Sequence, residues 1–88
     1  MKAIRTKPIS ATRSNPFRIQ AQDYSGNKLL IPYNEDLSIE SNHLIAAERF
    51  VSHLGLKGFV CGAPVDLGHI MWILHDHIVE EELYFEVK

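Results

Sequence analysis

The chain has 88 residues, of which 45% are hydrophobic and 23% charged, and its formal net charge is −2. This length predicts one globular domain over residues 1–88, with a small core. The single cysteine excludes an internal disulfide framework and favours a reducing cytoplasm. No stretch resembles a secretory signal, and the longest apolar run, residues 70–74, is far below the roughly 20 residues that span a bilayer. We therefore expect a soluble, cytoplasmic protein with no membrane partner.

Charge is divided steeply along the chain. Through Lys28 there are six basic residues and one acid, whereas from Leu29 onward there are three basic residues and ten acids. This division predicts either a basic face for an anionic partner or two halves that neutralise each other, within a monomer or across a dimer. We favour the second alternative, because strands remote in sequence are often neighbours in a sheet.

The first part of the chain predicts three strands. Residues 2–7 alternate apolar or small residues with basic ones and end at a proline, which is typical of an edge strand. Residues 8–16 indicate a loop. Residues 17–22 alternate between a buried and a solvated face, residues 23–27 form a turn, and residues 28–33 return as the second arm of a hairpin.

Residues 41–54 have the clearest helical period in the chain. One face collects the residues expected to be buried: His43, Ala46, Ala47, Phe50, Val51 and Leu54. Either Ser38 or Ser41 is suited to cap the start of the helix. Gly55 is expected to terminate it in a left-handed conformation, with Leu56 folding back on Val51.

The last third of the chain predicts two or three more strands. Residues 57–63 and 68–75 are the clearer candidates, and the unbroken apolar run in the second predicts a central position or cover on both faces. The tail over residues 78–88 combines an acidic triplet with alternation typical of a strand. The order β-β-β-α-β-β predicts an α+β fold: a mainly antiparallel sheet of five or six strands with one helix packed on one face.

The sequence contains several short elements in a characteristic order. They are Lys2-Ala3-Ile4-Arg5-Thr6-Lys7, Arg18-Ile19-x-Ala21-x-Asp23-x-x-Gly26-Asn27, Ile31-Pro32-Tyr33, and Asn42-His43 with Ala46-Ala47 before Leu54-Gly55. In this order and spacing they resemble a group of short uncharacterised proteins of bacterial chromosomes, plasmids and prophages. The resemblance covers about residues 2–75 and leaves residues 77–88 as an acidic extension. It implies one small domain and a mobile-element setting, and no activity.

Two histidines near the carboxyl end are the nearest approach to a metal site. His75 and His77 share one face if the strand continues, and an acid such as Glu80 or Glu82 can complete a site. His69 is roughly 20 Å from His75 along an extended strand, too far to share the metal. Because no closed ligand set is present, we expect no metal and no cofactor, and histidines that are solvated or hydrogen-bonded.

Neither of the other chemical candidates predicts catalysis. Cys61 lies in an apolar strand candidate, where a thiol usually packs as a small side chain. Asn42 and His43, in the first turn of the helix, can meet an anion or a partner's carbonyl. The alternative is that His43 packs on the sheet while Asn42 completes the cap. We therefore expect a protein that is not an enzyme.

The leading functional hypothesis is a non-enzymatic binding protein that associates with another protein or with itself. It is motivated by the charge division and by edge strands expected at residues 2–7 and in the tail. An acidic face from Asp76 through Glu86, which includes Glu80, Glu81 and Glu82, can engage a basic protein surface; the alternative is that these acids form an ordinary solvated surface.

The alternative hypothesis is a nucleic-acid-binding accessory protein. It uses the basic residues Lys2, Arg5, Lys7, Arg13 and Arg18, with Tyr24 or Tyr33 as a stacking surface. The negative net charge counts against it. A metal-binding or thiol enzyme is the third hypothesis.

Overall fold

A computed structural model describes residues 3–14, 16–65, 68–75 and 83–87 of the chain. Its elements are β1 (Ala3–Ile9), β2 (Arg18–Asp23), β3 (Lys28–Pro32), α1 (Ile39–His53), β4 (Gly58–Pro64), β5 (Ile70–His75) and β6 (Leu83–Val87). The predicted α+β fold, with a sixth strand at the carboxyl end, is confirmed.

The six strands form one antiparallel sheet in the order β3-β2-β1-β5-β4-β6. The prediction that residues 2–7 form an edge strand is wrong, because β1 lies at the centre between β2 and β5. The alternation of basic and apolar residues has another cause: among the described elements no helix lies on one face of the sheet, so even a central strand presents charged side chains to solvent there. The central position predicted for residues 68–75 is confirmed for β5.

The helix packs across one face of the sheet, against β1, β2, β3 and β6. From α1 the core takes Ala46, Ala47, Phe50 and Val51. From the sheet it takes Ile4, Ile19, Ala21, Ile31, Val60, Ile70, Trp72, Phe85 and Val87. The predicted buried face of the helix is therefore confirmed, although Leu54 is only partly buried. No helix in the described ranges is both long and apolar enough to cross a bilayer.

Both helix ends follow from local sequence. Of the two candidate caps, Ser38 is the one used: its hydroxyl accepts a hydrogen bond from the backbone N–H of Ser41 at 3.1 Å. At the other end Gly55 has a φ of 72°, and the N–H of Leu56 donates to the carbonyl of Val51 at 3.1 Å. This is the predicted Schellman arrangement, which satisfies carbonyls that the last turn leaves open.

A glycine gives the largest core side chain its place. Gly62 in β4 lies directly opposite Trp72 in β5. A Cβ atom at Gly62 would lie 2.5 Å from the indole ring, well inside contact distance. Because Gly62 has no side chain, the indole ring of Trp72 packs directly against the backbone of β4. The ring also packs against Phe85, with ring centroids 5.7 Å apart.

Candidate functional site

The side of the sheet opposite the helix is built only from strands among the described elements, and we call it the open face. Its residues alternate with the core positions of the same strands. Two parts of it differ in chemistry. The basic patch consists of Arg5, Lys7, Arg18 and Lys28; the apolar patch consists of Phe59, Met71, Ile73 and Tyr84.

Strand pairing brings the basic patch together. Arg5 and Lys28 lie on either side of Gln22 in one row across β1, β2 and β3. Lys7 lies opposite Gln20, two residue pairs along the strands from the row in which Arg18 lies opposite Ile9. Adjacent strands are about 4.8 Å apart, so three strands hold all four cations within a surface about 10 Å wide. Side chains distributed between residues 5 and 28 thus share one positive surface.

The acids whose positions are described lie elsewhere. Glu40 and Glu48 project from the helix, on the far side of the sheet. Glu86 in β6 is the one carboxylate on the open face within the described strands, and three strand spacings, about 14 Å, separate it from β1. Asp23 belongs to β2 but lies on the helix side of that strand, where it accepts hydrogen bonds from the N–H groups of Ser25 and Asn27. Within the described residues, the four cations of the basic patch are therefore separated from Glu40, Glu48 and Glu86.

The apolar patch borders the basic patch at Met71. The Nε of Arg5 donates to the Met71 sulfur at 3.5 Å, and the Tyr24 hydroxyl donates to the same sulfur at 3.9 Å. Tyr24 is 74% exposed and therefore offers its ring to solvent beside a cation. On the other side Tyr84 and Ile73 are 48% and 36% exposed.

A second cluster lies on the helix side of the sheet. Thr6 Oγ1 lies 2.7 Å from His43 Nδ1 and accepts a hydrogen bond from Trp72 Nε1 at 2.9 Å. All three side chains are fully buried. A central strand, the neighbouring strand and the helix are therefore joined by one polar network inside an apolar core.

One hydrogen-bond direction in this network is set by chemistry. The indole N–H of Trp72 can only donate, so Thr6 Oγ1 accepts from it. The Thr6 hydroxyl has one proton, which goes to His43 Nδ1 at 2.7 Å or to the Ile70 carbonyl at 3.5 Å according to the tautomer of His43. In either tautomer, Nε2 of His43 is buried without a hydrogen-bond partner, which costs roughly 1–3 kcal/mol.

Burial lowers the pKa of His43 below its ordinary value of 6.5. The carboxylate of Glu40, one helical turn earlier, acts in the opposite direction and raises this pKa, and His69 lowers it. Desolvation is the largest of the three influences, so His43 is neutral at pH 7.

A pocket of about 150 Å³ opens beside this histidine. It is lined by Ile39, Glu40 and His43 from the start of α1, and by Pro64, Val65, Gly68, His69 and Ile70 from the region that joins β4 and β5. Two of these residues are joined by a hydrogen bond: the N–H of Val65 donates to the carbonyl of His69 at 2.9 Å. The walls of the pocket are mostly apolar, and His43 brings the buried polar group.

The structure gives Asn42 a role within the chain. Its side-chain oxygen accepts from the N–H of Asn34 at 2.7 Å, and its amide donates to the carbonyls of Asn34 and Ser38, both at 2.9 Å. With 4% of its surface exposed, Asn42 holds the turn before the helix in place. His43 packs against the sheet, which confirms the second of the two roles predicted for it from the sequence.

The remaining candidates are dispersed. Arg13 is exposed in the loop that joins β1 and β2, outside the paired residues of both strands. Cys61 is buried in β4, opposite Ile73 and Tyr84, and His75 lies at the end of β5. Of the candidate site residues, Lys2, His77, Glu80, Glu81 and Glu82 lie outside the described residues. Among the residues that are described, no three His, Cys, Asp or Glu side chains are grouped to hold a metal ion.

Sequence reasoning singled out His43 but missed Thr6 and Trp72 as its partners. The available signal was the alternation of side chains along a strand. Thr6 is two residues from Ile4, so both side chains lie on the buried face of β1, where an apolar residue would be expected. A buried hydroxyl needs a partner, and that requirement predicts a polar group opposite it.

Comparison of the chain with protein-family models, with curated proteins and with solved structures found no match.

Proposed function

We propose that the protein is a non-enzymatic binding protein that holds single-stranded nucleic acid on its open face. The observation that carries this proposal is the basic patch. Four cations from three adjacent strands share a surface that no described element covers. A dense positive surface attracts a phosphate backbone and binds it with release of counterions.

The net charge of −2 is a sum over the whole chain and does not give the charge of the open face, where Glu86 is the one acid among the residues that the structure describes. Exposed charges further apart than a Debye length, about 8 Å at physiological ionic strength, barely influence each other. Glu86 is about 14 Å from β1 across the sheet, and Glu48 lies on the opposite side of it. A polyanion approaching the open face therefore meets the field of the basic patch.

Arg18 supports an anionic partner in a second way. Its Nε is buried and has no hydrogen-bond partner. The residue lies between Ile9 of β1 and Pro32 of β3, where neither neighbour offers a side-chain acceptor. A phosphate oxygen bound at the patch would supply the missing acceptor with a charge-assisted hydrogen bond.

Aromatic exposure favours a single strand over a duplex. Tyr24 is 74% exposed and shares the Met71 sulfur with Arg5, so its ring lies next to the cations. Unpaired bases can stack on such a ring, whereas paired bases cannot reach it. The cations would hold the backbone while Tyr24 holds a base.

The test is fluorescence anisotropy with a labelled single-stranded oligonucleotide at several salt concentrations. Four phosphate contacts predict a slope of about −3 in a plot of log affinity against log salt. Lys7→Gln and Lys28→Gln should each reduce the slope by about 0.7. Arg49→Gln, which removes an exposed cation on the helix, is the matched control and should leave it unchanged.

Tyr24→Leu should weaken binding without changing the salt slope, because stacking releases no counterions. A loss of about 1–3 kcal/mol per stacked base is expected. Arg13→Gln separates the loop from the sheet, since it should have less effect than Lys7→Gln. Failure to bind any single strand at low salt, or a slope that Lys7→Gln does not alter, would reject the proposal.

The second candidate function is association with a protein, including a second copy of the chain. The specific observation is the apolar patch, where Ile73 and Tyr84 are 36% and 48% exposed next to the edge strand β6. Exposed apolar side chains beside an unpaired edge are suited to a protein interface. The mobile-element setting implied by resemblance stays a prediction under either function.

Sedimentation velocity over a range of concentrations tests self-association, and affinity capture tests other protein partners. Ile73→Lys should convert a dimer to a monomer or abolish capture of the specific partner. Leu37→Lys changes an equally exposed apolar residue away from the open face and is the matched control. A monomer whose captured proteins are identical in wild type and Ile73→Lys would argue against this candidate.

A further inference from the structure

The two outer strands of the sheet, β3 and β6, have edges that fit each other. In the order β3-β2-β1-β5-β4-β6, no described strand pairs with the outer side of either. An outer strand has a row of backbone N–H and C=O groups without partners in its own sheet, and a strand of another chain can pair with them. Which residues carry those groups follows from the hydrogen bonds inside the sheet.

On β3, the backbone groups of Lys28 and Leu30 point outward. In an antiparallel sheet, successive residues direct their N–H and C=O groups to opposite sides of the strand. Just after β3, the N–H of Tyr33 donates to the carbonyl of Phe17, in the same register as the β2–β3 pairing. The odd-numbered residues of β3 therefore bond to β2. The even-numbered residues face away from the sheet, and Pro32, which has no N–H, is one of them.

On β6, the backbone groups of Tyr84 and Glu86 point outward. The N–H of Val65 donates to the carbonyl of His69, in the register of the β4–β5 pairing. The odd-numbered residues of β4 therefore bond to β5, and its even-numbered residues bond to β6. Their partners in β6 are the odd-numbered residues, which leaves the even-numbered ones facing away from the sheet.

The side chains at these four positions are complementary. When β3 is set antiparallel to β6 of a second copy with Lys28 opposite Glu86, Leu30 is opposite Tyr84. Each pair can then exchange both of its N–H···O bonds. Lys28 and Glu86 are both exposed and have opposite charges, and Leu30 and Tyr84 are each 48% exposed and cover one another. All four side chains lie on the open face, so the alternation of the sheet continues from one copy to the next.

Other pairings of these edges fit less well. Moving β6 by two residues in one direction places Tyr84 opposite Pro32, which has no N–H to donate. Moving it the other way places Glu86 opposite Gly26, in the turn before β3. Pairing two copies of the same edge gives no opposite charges, because Lys28 is the one charged residue in β3 and Glu86 the one in β6. The opposite charges and the full set of backbone bonds thus coincide in a single antiparallel register.

We propose that the chain associates with itself head to tail, through β3 of one copy and β6 of the next, with Lys28 opposite Glu86. This contact rests on the second candidate function, association with a protein, and names the partner as a second copy. Because the two edges differ, every added copy leaves one of each free, so the product is an open chain or a closed ring and not a two-fold dimer. Lys28 also belongs to the basic patch, so association and nucleic acid compete for this one cation.

Charge exchange between the edges tests the contact, by sedimentation velocity over a range of protein concentrations without nucleic acid. The wild type should form species larger than a dimer. Lys28→Glu and Glu86→Lys each place like charges opposite one another and should weaken association roughly five- to tenfold. An equimolar mixture of the two variants restores a Lys–Glu pair at every mixed contact and should associate as the wild type does. Arg49→Glu and Glu48→Lys reverse exposed charges on the helix and are the matched controls.

Hydrogen exchange tests the backbone pairing in the unaltered protein. The amides of Lys28, Leu30, Tyr84 and Glu86 have no partner within the sheet, so their exchange should slow as the protein concentration rises. The amide of Ile31 faces β2 and is already bonded, so its exchange should stay constant. This alternation between neighbouring residues is specific to pairing at the strand edge.

Ile73→Lys separates this contact from the apolar patch. Ile73 lies in β5, away from both edges, so the substitution should leave head-to-tail association intact. The proposal is overturned if the wild type stays monomeric, if the mixture associates no better than either charge variant alone, or if the four edge amides do not slow. A monomeric chain that captures a different protein would support the second candidate function and overturn this proposal.

Discussion

Thr6 and His43 are 37 residues apart in sequence, and their side chains meet at 2.7 Å inside the core. The contact ties the central strand β1 to the first turns of α1. Because Thr6 also accepts from the indole of Trp72, one hydroxyl satisfies two buried groups from different elements. The apolar core is therefore packed around a buried hydrogen-bond network of Thr6, His43 and Trp72.

Thr6→Val should lower the free energy of unfolding by about 2–4 kcal/mol. Valine has nearly the same shape, but it leaves the indole N–H of Trp72 and the Nδ1 of His43 without partners. Thr6→Ser retains the hydroxyl and loses only a methyl group, so its cost should be about 1 kcal/mol. Urea denaturation measures both, and equal stability of the two variants would contradict the assigned network.

Stability should fall as the pH decreases below about 6.5. The pKa of His43 is lowered in the folded state by burial, so near this pH the unfolded chain binds more protons at this residue than the folded chain does. The stabilisation is therefore complete above the unfolded pKa of 6.5 and is lost progressively toward the folded pKa, by at most about 1.4 kcal/mol per pH unit.

Urea denaturation between pH 7.5 and 5 measures this dependence. His43→Gln should flatten the profile, whatever its stability at pH 7.5. His53→Gln removes an exposed histidine at the end of the helix and should retain the slope of the wild type. A profile that is the same in His43→Gln and wild type would place the pH dependence elsewhere.

Gly62→Ala should destabilise the protein by about 1–3 kcal/mol, because the added Cβ would overlap the Trp72 ring. Ala63→Val enlarges the next residue, which is exposed on the open face, and should cost less than about 0.5 kcal/mol. The loss should shrink in a Trp72→Leu background, where the ring is gone. Additive losses in that double variant, measured by thermal or urea denaturation, would show that the ring is not what Gly62 accommodates.

Asn42→Ala should lower the free energy of unfolding by about 1–3 kcal/mol, because it leaves the N–H and carbonyl of Asn34 without their side-chain partner. Ser41→Ala, one residue earlier, should cost less than about 0.5 kcal/mol. Hydrogen exchange would locate the effect, with faster exchange expected at the Asn34 amide. An Asn42→Ala variant as stable as the wild type would contradict this role of Asn42 in holding the turn.

Local chemistry made the helix and the hairpin predictable. The periodic burial of Ala46, Ala47 and Phe50 is a property of consecutive residues, and so are the Ser38 cap and the Gly55 terminator. The turn before β3 is equally local, since Asp23 accepts hydrogen bonds from the N–H groups of Ser25 and Asn27 at 2.9 Å each. Such features depend on neighbours within a few residues, which the sequence shows directly.

Strand position and site composition were not local. An edge strand and a central strand with one solvated face show the same alternation of apolar and charged residues. The pattern in residues 2–7 therefore does not distinguish the two positions, and only the strand pairing shows that β1 lies between β2 and β5. The strand pairing also changes which residues form the candidate basic surface. Lys28 joins Arg5, Lys7 and Arg18, whereas Arg13 lies outside the paired strands.

By itself, the sequence determined the order of the elements, the α+β class and the buried face of the helix, because periodicity and capping act over one or two turns of chain, and it left the number of strands at five or six. Only the tertiary structure decided that four bases gather on a sheet face that no described element covers and that Thr6, His43 and Trp72 share one buried network with a pocket beside it. Those arrangements depend on strand order and register, which bring together residues as far as 66 positions apart.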